Sequence, residues 1–408
     1  MEVLYTRCAG LDVHKDSVVA CVRLVVDGKV EQQVKTFETT TSSLGKLSDW
    51  LAEHDVTHVA MEATGVYWKP VWHVLEEDFS LVLANAMHIK TVPGRKTDVG
   101  DATWISDLLA HGLIRPSFVP EAPIQELRGL MRTRKQLVRE KKQHIQRIQK
   151  VLEDANLKIA SVVSDVMGKS GRAILEALVE GKTDPAVLVE LAGRRLRAKR
   201  EVLVEALRGR VTHHHRFLLR LHLGQVDALD AAITALEKEA GECLAPFRAN
   251  ADLLIGIPGV SDVVAQVMLS EIGHDMSRFP TAGHLISWAG LCPGNDESAG
   301  KRRSTRLRKG APWLKTTLVQ AAWCATRAKN TYLRSQYYRI AARRGPKKAI
   351  MAVAASILTA AYYMLRDGVA YRELGAEYLD RADKKKTTTR LVKRLRDLGY
   401  TVELKDVA

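Results

Sequence analysis

The chain has 408 residues, with 62 Lys or Arg against 47 Asp or Glu, a formal net charge of +15. At 46% hydrophobic and 27% charged it can fill the cores of two or three domains, which excludes wholesale disorder and fibrous classes; its cationic excess points to a polyanionic partner, most often nucleic acid. The five cysteines are scattered without a C-x-x-C pair, which argues against a disulfide framework or a cysteine-held zinc and for a reducing, cytoplasmic setting.

Residues 1–118 are the acidic exception, with 11 basic and 16 acidic residues, net −5. They open without a long apolar run, so no signal peptide is expected. Ala9–Val13 and Ser17–Val26 read as strands around a short polar turn, and Asp27-Gly28 signals a hairpin into a third strand, Glu31–Thr39. A helix from Ser42 or Ser43 to about His54 puts Leu44, Leu47 and Leu51 on one face. Thr57–Glu62 then reads as a strand, Val66–Glu77 as a helix and Leu81–Ala84 as a strand. A last helix runs from near Thr97 to about His111, stopped by Gly112. This is an α/β order with a mixed sheet, the order of the ribonuclease-H-like fold.

Residues 119–245 hold 23 basic and 17 acidic residues, net +6, and turn to long helices. Ile124, Leu127, Met131, Val138, Ile145, Ile148 and Leu152 repeat at three- and four-residue spacing, as do Leu229, Ile233, Leu236, Ala240 and Cys243. The spacing predicts two arms of a helical hairpin or coiled coil, with short helices over Asn156–Gly193 between them. Residues 246–370 hold 18 basic and 7 acidic residues, net +11, in a helical, glycine-punctuated unit; 371–408 are a basic helical tail. Ala349–Leu365 is uncharged but shorter than the ~20 residues a membrane span needs, so it reads as a buried helix and no membrane partner is expected.

Asp12 and Glu62 end predicted strands, and Asp98 and Asp101 stand three apart at a predicted helix start, on one face. Four such carboxylates are what a pair of Mg²⁺ ions needs. Hard cations take oxygen ligands, and two ions ~3.5–4 Å apart clamp the attacking and leaving oxygens of a phosphodiester. Singly, each acid has an ordinary role as a turn, cap or first-turn residue. Their joint placement favours metal, and it accounts for a net negative segment inside a basic chain.

The run Leu253–Val260 is similar to a helix-hairpin-helix turn. Gly256 and Gly259 allow tight bending there, and the N–H groups of Gly259, Val260 and Ser261 could meet a phosphate; an ordinary helix–helix turn looks the same. Further on, Lys301, Arg302, Arg303, Arg306, Arg308 and Lys309 make a basic run suited to a nucleic-acid backbone, or to a plain solvated loop. Ser298 precedes it in a small-residue turn that exposes a hydroxyl, with no local base to activate it. His213-His214-His215 read as surface histidines of a long helix.

Asp12 in GLDVHK, Glu62 in MEATGVYW, Asp98 and Asp101 in PGRKTDVGDA and Ser298 in GLCPGNDESAGKRR together resemble the insertion-sequence-110 transposase family, in the same order over nearly the whole chain. The resemblance implies a RuvC-like DEDD catalytic domain over 1–118, a helical or coiled-coil insertion over 119–245, a mainly α transposase domain over 246–370 and the tail over 371–408. It implies that Asp12, Glu62, Asp98 and Asp101 bind Mg²⁺. Ser298 would attack DNA to form a phosphoserine intermediate, meeting the metal site of a second subunit in a homo-oligomer. A structured guide (bridge) RNA would pair with donor and target DNA. The stripe Arg128, Arg132, Arg134, Lys135, Arg139, Lys141, Lys142, Arg147 and Lys150 would then face an RNA backbone. The family's more usual Ser-Gly is Ser298-Ala299-Gly300 here, and Ser304 is the alternative nucleophile. Two other readings use the same residues: a RuvC-like nuclease of the Holliday-junction-resolvase type that attacks with water, and a non-catalytic nucleic-acid scaffold with structural carboxylates.

Overall fold

Five strands form one mixed sheet in the first of two units, residues 1–119 and 120–408. β1 (Arg7–Val13) pairs antiparallel with β2 (Ser17–Val26), and β2 antiparallel with β3 (Lys29–Glu38). On its other side β1 runs parallel to β4 (His58–Glu62), and β4 parallel to β5 (Ser80–Ala84), giving the order β3-β2-β1-β4-β5. The computed structural model describes residues 3–63, 65–85, 89, 100–194, 200–294, 296–304, 306–307, 310–382 and 384–405.

The β2–β3 connection is the predicted Asp27-Gly28 turn, with φ of 48° and 76°, the two left-handed residues that a tight hairpin requires. β3 is an edge strand, exposed along nearly its whole length, and its Lys29, Glu31 and Lys35 discourage pairing with other chains. Strand alternation gives β1 two distinct faces. Ala9, Leu11 and Val13 pack with helices α1 (Thr41–Glu53) and α2 (Trp68–Leu75) through Leu44, Leu47, Leu51, Val71 and Leu75. On the opposite face Cys8 and Ala60 pack under α3 (Asp101–Ala110) through Ile105, Leu108 and Leu109. The helix expected from Thr97 starts at Asp101, because Gly100 is its N-cap with extended ψ.

In the second unit, α4 (Ala122–Asp154) is followed by short helices α5 (Ile159–Val162), α6 (Lys169–Glu180), α7 (Pro185–Glu190) and α8 (Arg200–Ala206), then α9 (His213–Leu244). The cross-links Arg134–Glu237, Lys141–Asp230, His144–His222 and Asp154–His215 rise in number on α4 as they fall on α9, so the two long helices are antiparallel. In the middle of this pair the apolar contribution comes from α9, whose Val226 and Ile233 are buried, and much less from α4. Val138 is 42% exposed, and no α4 residue between Met131 and Ile148 is buried. Around the end of α4 and the start of α9, Leu152, Ile174, Leu178, Leu203, Leu219 and Leu223 share a core with the short helices.

The remainder comprises α10 (Arg248–Ile255), α11 (Asp262–Ile272), α12 (Ala282–Ala289), a β6–β7 hairpin (Asp296–Ser298 and Lys301–Ser304), α13 (Pro312–Ala325), α14 (Tyr332–Arg344) and α15 (Pro346–Asp367). The tail carries α16 (Tyr378–Arg381) and α17 (Lys384–Asp397). α15 contains the long uncharged run and is apolar enough to cross a membrane by length and composition. Its Ile350, Val353, Ile357, Leu358 and Ala361 are nevertheless buried against the surrounding helices.

Candidate functional site

Three of the four predicted acids lie among the described residues, and the sheet register relates two of them directly. Leu11 pairs with Met61 across the parallel β1–β4 ladder, so Asp12 and Glu62, one residue on in each strand, sit side by side at the carboxyl ends of neighbouring strands. By alternation both belong to the face that α3 covers, with Cys8, Gly10 and Ala60. Asp12 is largely buried and its Oδ2 lies 3.2 Å from Nε2 of His14.

Gly10 explains how α3 comes so near. A Cβ at this position would lie 2.3 Å from the Ala102 carbonyl oxygen and 2.4 Å from the Ser106 nitrogen, so only glycine permits this contact. The contacts Leu4–Ala110, Cys8–Ser106 and Gly10–Ala102 run α3 antiparallel to β1. Its N-terminus therefore lies toward the strand end that bears Asp12, and Asp101 is its first residue. Arg23 of β2, 3% exposed, donates from Nε to Asp107 Oδ1 at 2.8 Å and fixes the rest of α3 to the sheet. Burial pushes the nearby Cys8 thiol up to about 12, which makes it an inert core group.

Asp98 lies outside the described residues, and Asp101 is the first residue of α3. Among the described residues no three His, Cys, Asp or Glu side chains converge closely enough to hold one ion. The donor set still suits Mg²⁺ chemically, since Asp12, Glu62 and Asp101 offer carboxylate oxygens and no sulfur.

Ser298 is exposed at the end of β6 and pairs with Lys301 across a two-residue turn, Ala299 and Gly300, with φ of 49° and 73°. The small-residue turn read from the sequence is thus a tight two-residue hairpin turn, with the serine at its tip. Lys301, Arg303 and Arg306 are exposed on the same excursion, whereas Arg308, Lys309 and the Arg302 side chain lie outside the described set. Ser304 is half-buried, and its Oγ accepts the Arg306 N–H at 3.1 Å.

The basic stripe of α4 is largely spent inside the fold. Arg128 donates to the carbonyls of Ser270 and Glu271, and burial lowers its pKa to about 10. Arg132 forms a two-pronged bond to Glu271, at 2.7 and 2.8 Å, and Glu271 is itself 2% exposed. Lys135 donates to the Trp313 carbonyl and to the hydroxyls of Thr316 and Thr317. These three residues tie α4 to α11 and α13, a correction to their expected role as RNA contacts, forced by a buried carboxylate that needs cations. Arg139 stacks over Trp313 at 5.5 Å and is exposed, as are Lys142, Arg147 and Lys150.

The glycine turn is also more structural than expected. A Cβ on Gly259 would lie 2.3 Å from the Ala321 carbonyl, so the turn is wedged against α13. Val260 is buried, and its N–H bonds to the Ile257 carbonyl rather than remaining free for phosphate. Gly256 stays helical at the end of α10. Of the three histidines, His215 is buried, holding Thr212 and Asp154, so only His213 and His214 are surface residues.

Comparison with known proteins adds an independent line. Residues 9–157 match a family described as transposase, of the DEDD IS110 type, and residues 251–339 match one described as transposase IS116/IS110/IS902 family. An uncharacterized 43.6 kDa protein of insertion element IS110 from Streptomyces coelicolor is 30% identical over 154 residues, 36% of this chain and 38% of that protein. The protein y4rJ of Sinorhizobium fredii, named as a candidate transposase, is 27% identical over 291 residues, 67% of each chain. The chain thus spans well under half of the first relative and two thirds of the second.

Proposed function

The chain belongs to the IS110 family of transposases, and on that premise we propose that it cuts and rejoins DNA with the carboxylates Asp12, Glu62, Asp98 and Asp101 and a nucleophilic Ser298. The observation that carries this reading is the placement of Asp12 and Glu62 side by side at neighbouring strand ends, on the face where the Gly10 contact brings the N-terminus of α3, headed by Asp101. A sheet edge that collects acids in this way suits oxygen-loving cations.

These carboxylates would hold Mg²⁺, which when bound supplies positive charge to a phosphodiester as negative charge builds on it. The protein's own part is to position and exchange atoms. The Ser298 Oγ–phosphorus bond forms as one phosphorus–oxygen bond of the strand breaks, and the released strand end leaves as a hydroxyl that takes up the proton. The hairpin turn favours this by holding Ser298 at an exposed tip, where it can meet a metal site on a second copy. Lys301, Arg303 and Arg306 beside it suit the strand's phosphates. A structured guide RNA would pair with donor and target DNA, with Arg139, Lys142, Arg147 and Lys150 as the open cations of α4.

Asp12→Ala or Asp101→Ala is expected to abolish strand cleavage, and Ser298→Ala to abolish a protein–DNA adduct on denaturing gels. An adduct that survives Ser298→Ala removes this serine as nucleophile. Products with free 5′ phosphates and no bound protein would favour attack by water. RNA that co-purifies with the protein and derives from DNA flanking its gene would support the guide.

A further inference from the structure

From Ala299 to Arg366 the chain holds sixteen Lys or Arg residues and not one Asp or Glu. Ordinary solvated surface intersperses both signs, so a stretch this one-sided has an anion to meet. This stretch supplies most of the lining of an open groove of about 790 Å³, in the size range of sites that enclose a small ligand. Leu291 and Met351 give it an apolar lining, and the indole of Trp323 stands in its wall, 44% exposed and held edge-on by Tyr337 at 5.7 Å. Arg344, the last residue of α14, and Lys347 and Lys348, in the first turn of α15, stand at its rim. All three are exposed, and none makes an ion pair among the described residues, unlike Arg132, Arg134 and Lys141 on α4.

The combination is selective. A flat aromatic wall in an apolar slot favours a planar ring, and three unneutralised cations at the rim favour an anion attached to that ring. A nucleotide with its base out of the helical stack has both. We propose that this groove takes an unpaired base of the nucleic acid on which the protein acts, stacked on Trp323, with the flanking phosphates held by Arg344, Lys347 and Lys348. The inference rests on the reading of the chain as a DNA-acting transposase and deepens it, because strand exchange must pass through unpaired nucleotides. Ser304, also in the lining, accepts the Arg306 N–H and so keeps its own O–H to donate to a base edge. Stacking tolerates any base, so the site would not read sequence.

The test uses the full chain, a fluorescently labelled short thymidine oligomer and a duplex of the same length, with affinities measured by anisotropy at one salt concentration. Trp323→Ala is expected to weaken single-strand binding by about tenfold, the loss of one stacked base, while Trp323→Phe, which keeps a ring, stays near wild type. Ala352→Trp, which fills the groove and leaves Trp323 and the cations in place, should match Trp323→Ala, and duplex binding should change little in all three. Unchanged single-strand affinity in Trp323→Ala and Ala352→Trp overturns the groove and leaves the transposase reading standing. An equal loss on single strand and duplex also overturns it, reducing the surface to general charge attraction. If Trp323→Ala alters the oligomeric state by sedimentation but not single-strand binding, the groove seats a second copy and the proposal fails. If the wild-type protein binds neither probe, the DNA-acting reading itself falls and the groove with it.

Discussion

Gly10→Ala probes the contact that brings α3 to the strand end. The added Cβ would meet the Ala102 oxygen at 2.3 Å, the Ser106 nitrogen at 2.4 Å and the Ile105 carbonyl carbon at 3.0 Å. The nearest contacts are roughly 1 Å inside van der Waals distance, and all three atoms are helix backbone that cannot rotate away. Either β1 bows or α3 lifts, and lifting α3 loosens Ile105, Leu108 and Leu109 from Cys8 and Ala60. Overpacking of this kind costs about 1–3 kcal/mol, and the partial undocking of a helix puts the expected loss at the upper end. Amide hydrogen exchange in β1 and α3 under native conditions reads the first unit by itself, so the second does not mask the result. Protection there should fall by about a hundredfold, and strand cleavage should fall with it, because Asp101 moves with α3. If protection changes by less than about threefold, the close approach is not holding the helix and the account of the site's assembly is wrong.

Glu271→Ala strips the counter-charge from buried Arg128 and should cost about 3–5 kcal/mol by urea unfolding, more than Arg132→Ala, which leaves Glu271 beside Arg128; the reverse order would contradict this. Ala299→Gly relieves a left-handed alanine and should stabilise the β6–β7 hairpin by up to about 1 kcal/mol, seen as greater resistance of that loop to proteolysis; faster cleavage would mean the turn is not held as described. The pKa of His222 is lowered from 6.5, by burial first and then by His144 and Arg147. A lowered histidine contributes stability that is present above its ordinary pKa and lost as pH falls through the folded value. The melting temperature should therefore drop more steeply between about pH 7 and 5 in wild type than in His222→Gln, and equal slopes would remove the histidine pair as the cause.

The α/β half was legible in the sequence because its signals are local. Ser17–Val26 is strand from end to end as read, Asp27-Gly28 is the turn, and Leu44, Leu47 and Leu51 do face the core. The position of Asp12 and Glu62 at strand ends was legible too, because a strand end names its own position. What escaped depends on partners far along the chain. Arg128 and Arg132 look like surface cations until Glu271, more than a hundred positions away, claims them. Gly10 looks like any strand glycine until α3 arrives. The β6–β7 hairpin hides in a short run with no alternating pattern, where only Ala299-Gly300 could have suggested a two-residue turn. His215 was misplaced among surface histidines because its partner Asp154 lies on the other long helix.

The antiparallel pair of long helices has a consequence for how the chain can vary. α4 is 33 residues long, so it carries its far end roughly 50 Å from where it starts, and α9 brings the chain back over nearly the same distance. The far end has its own core, and the near end is fastened separately through Glu271. Removing whole turns in equal number from both arms would shorten the reach while leaving each end intact. Span is thus a free variable of this architecture: an adjustable ruler whose length can be set to the size of whatever lies along it, independently of the chemistry at the sheet edge.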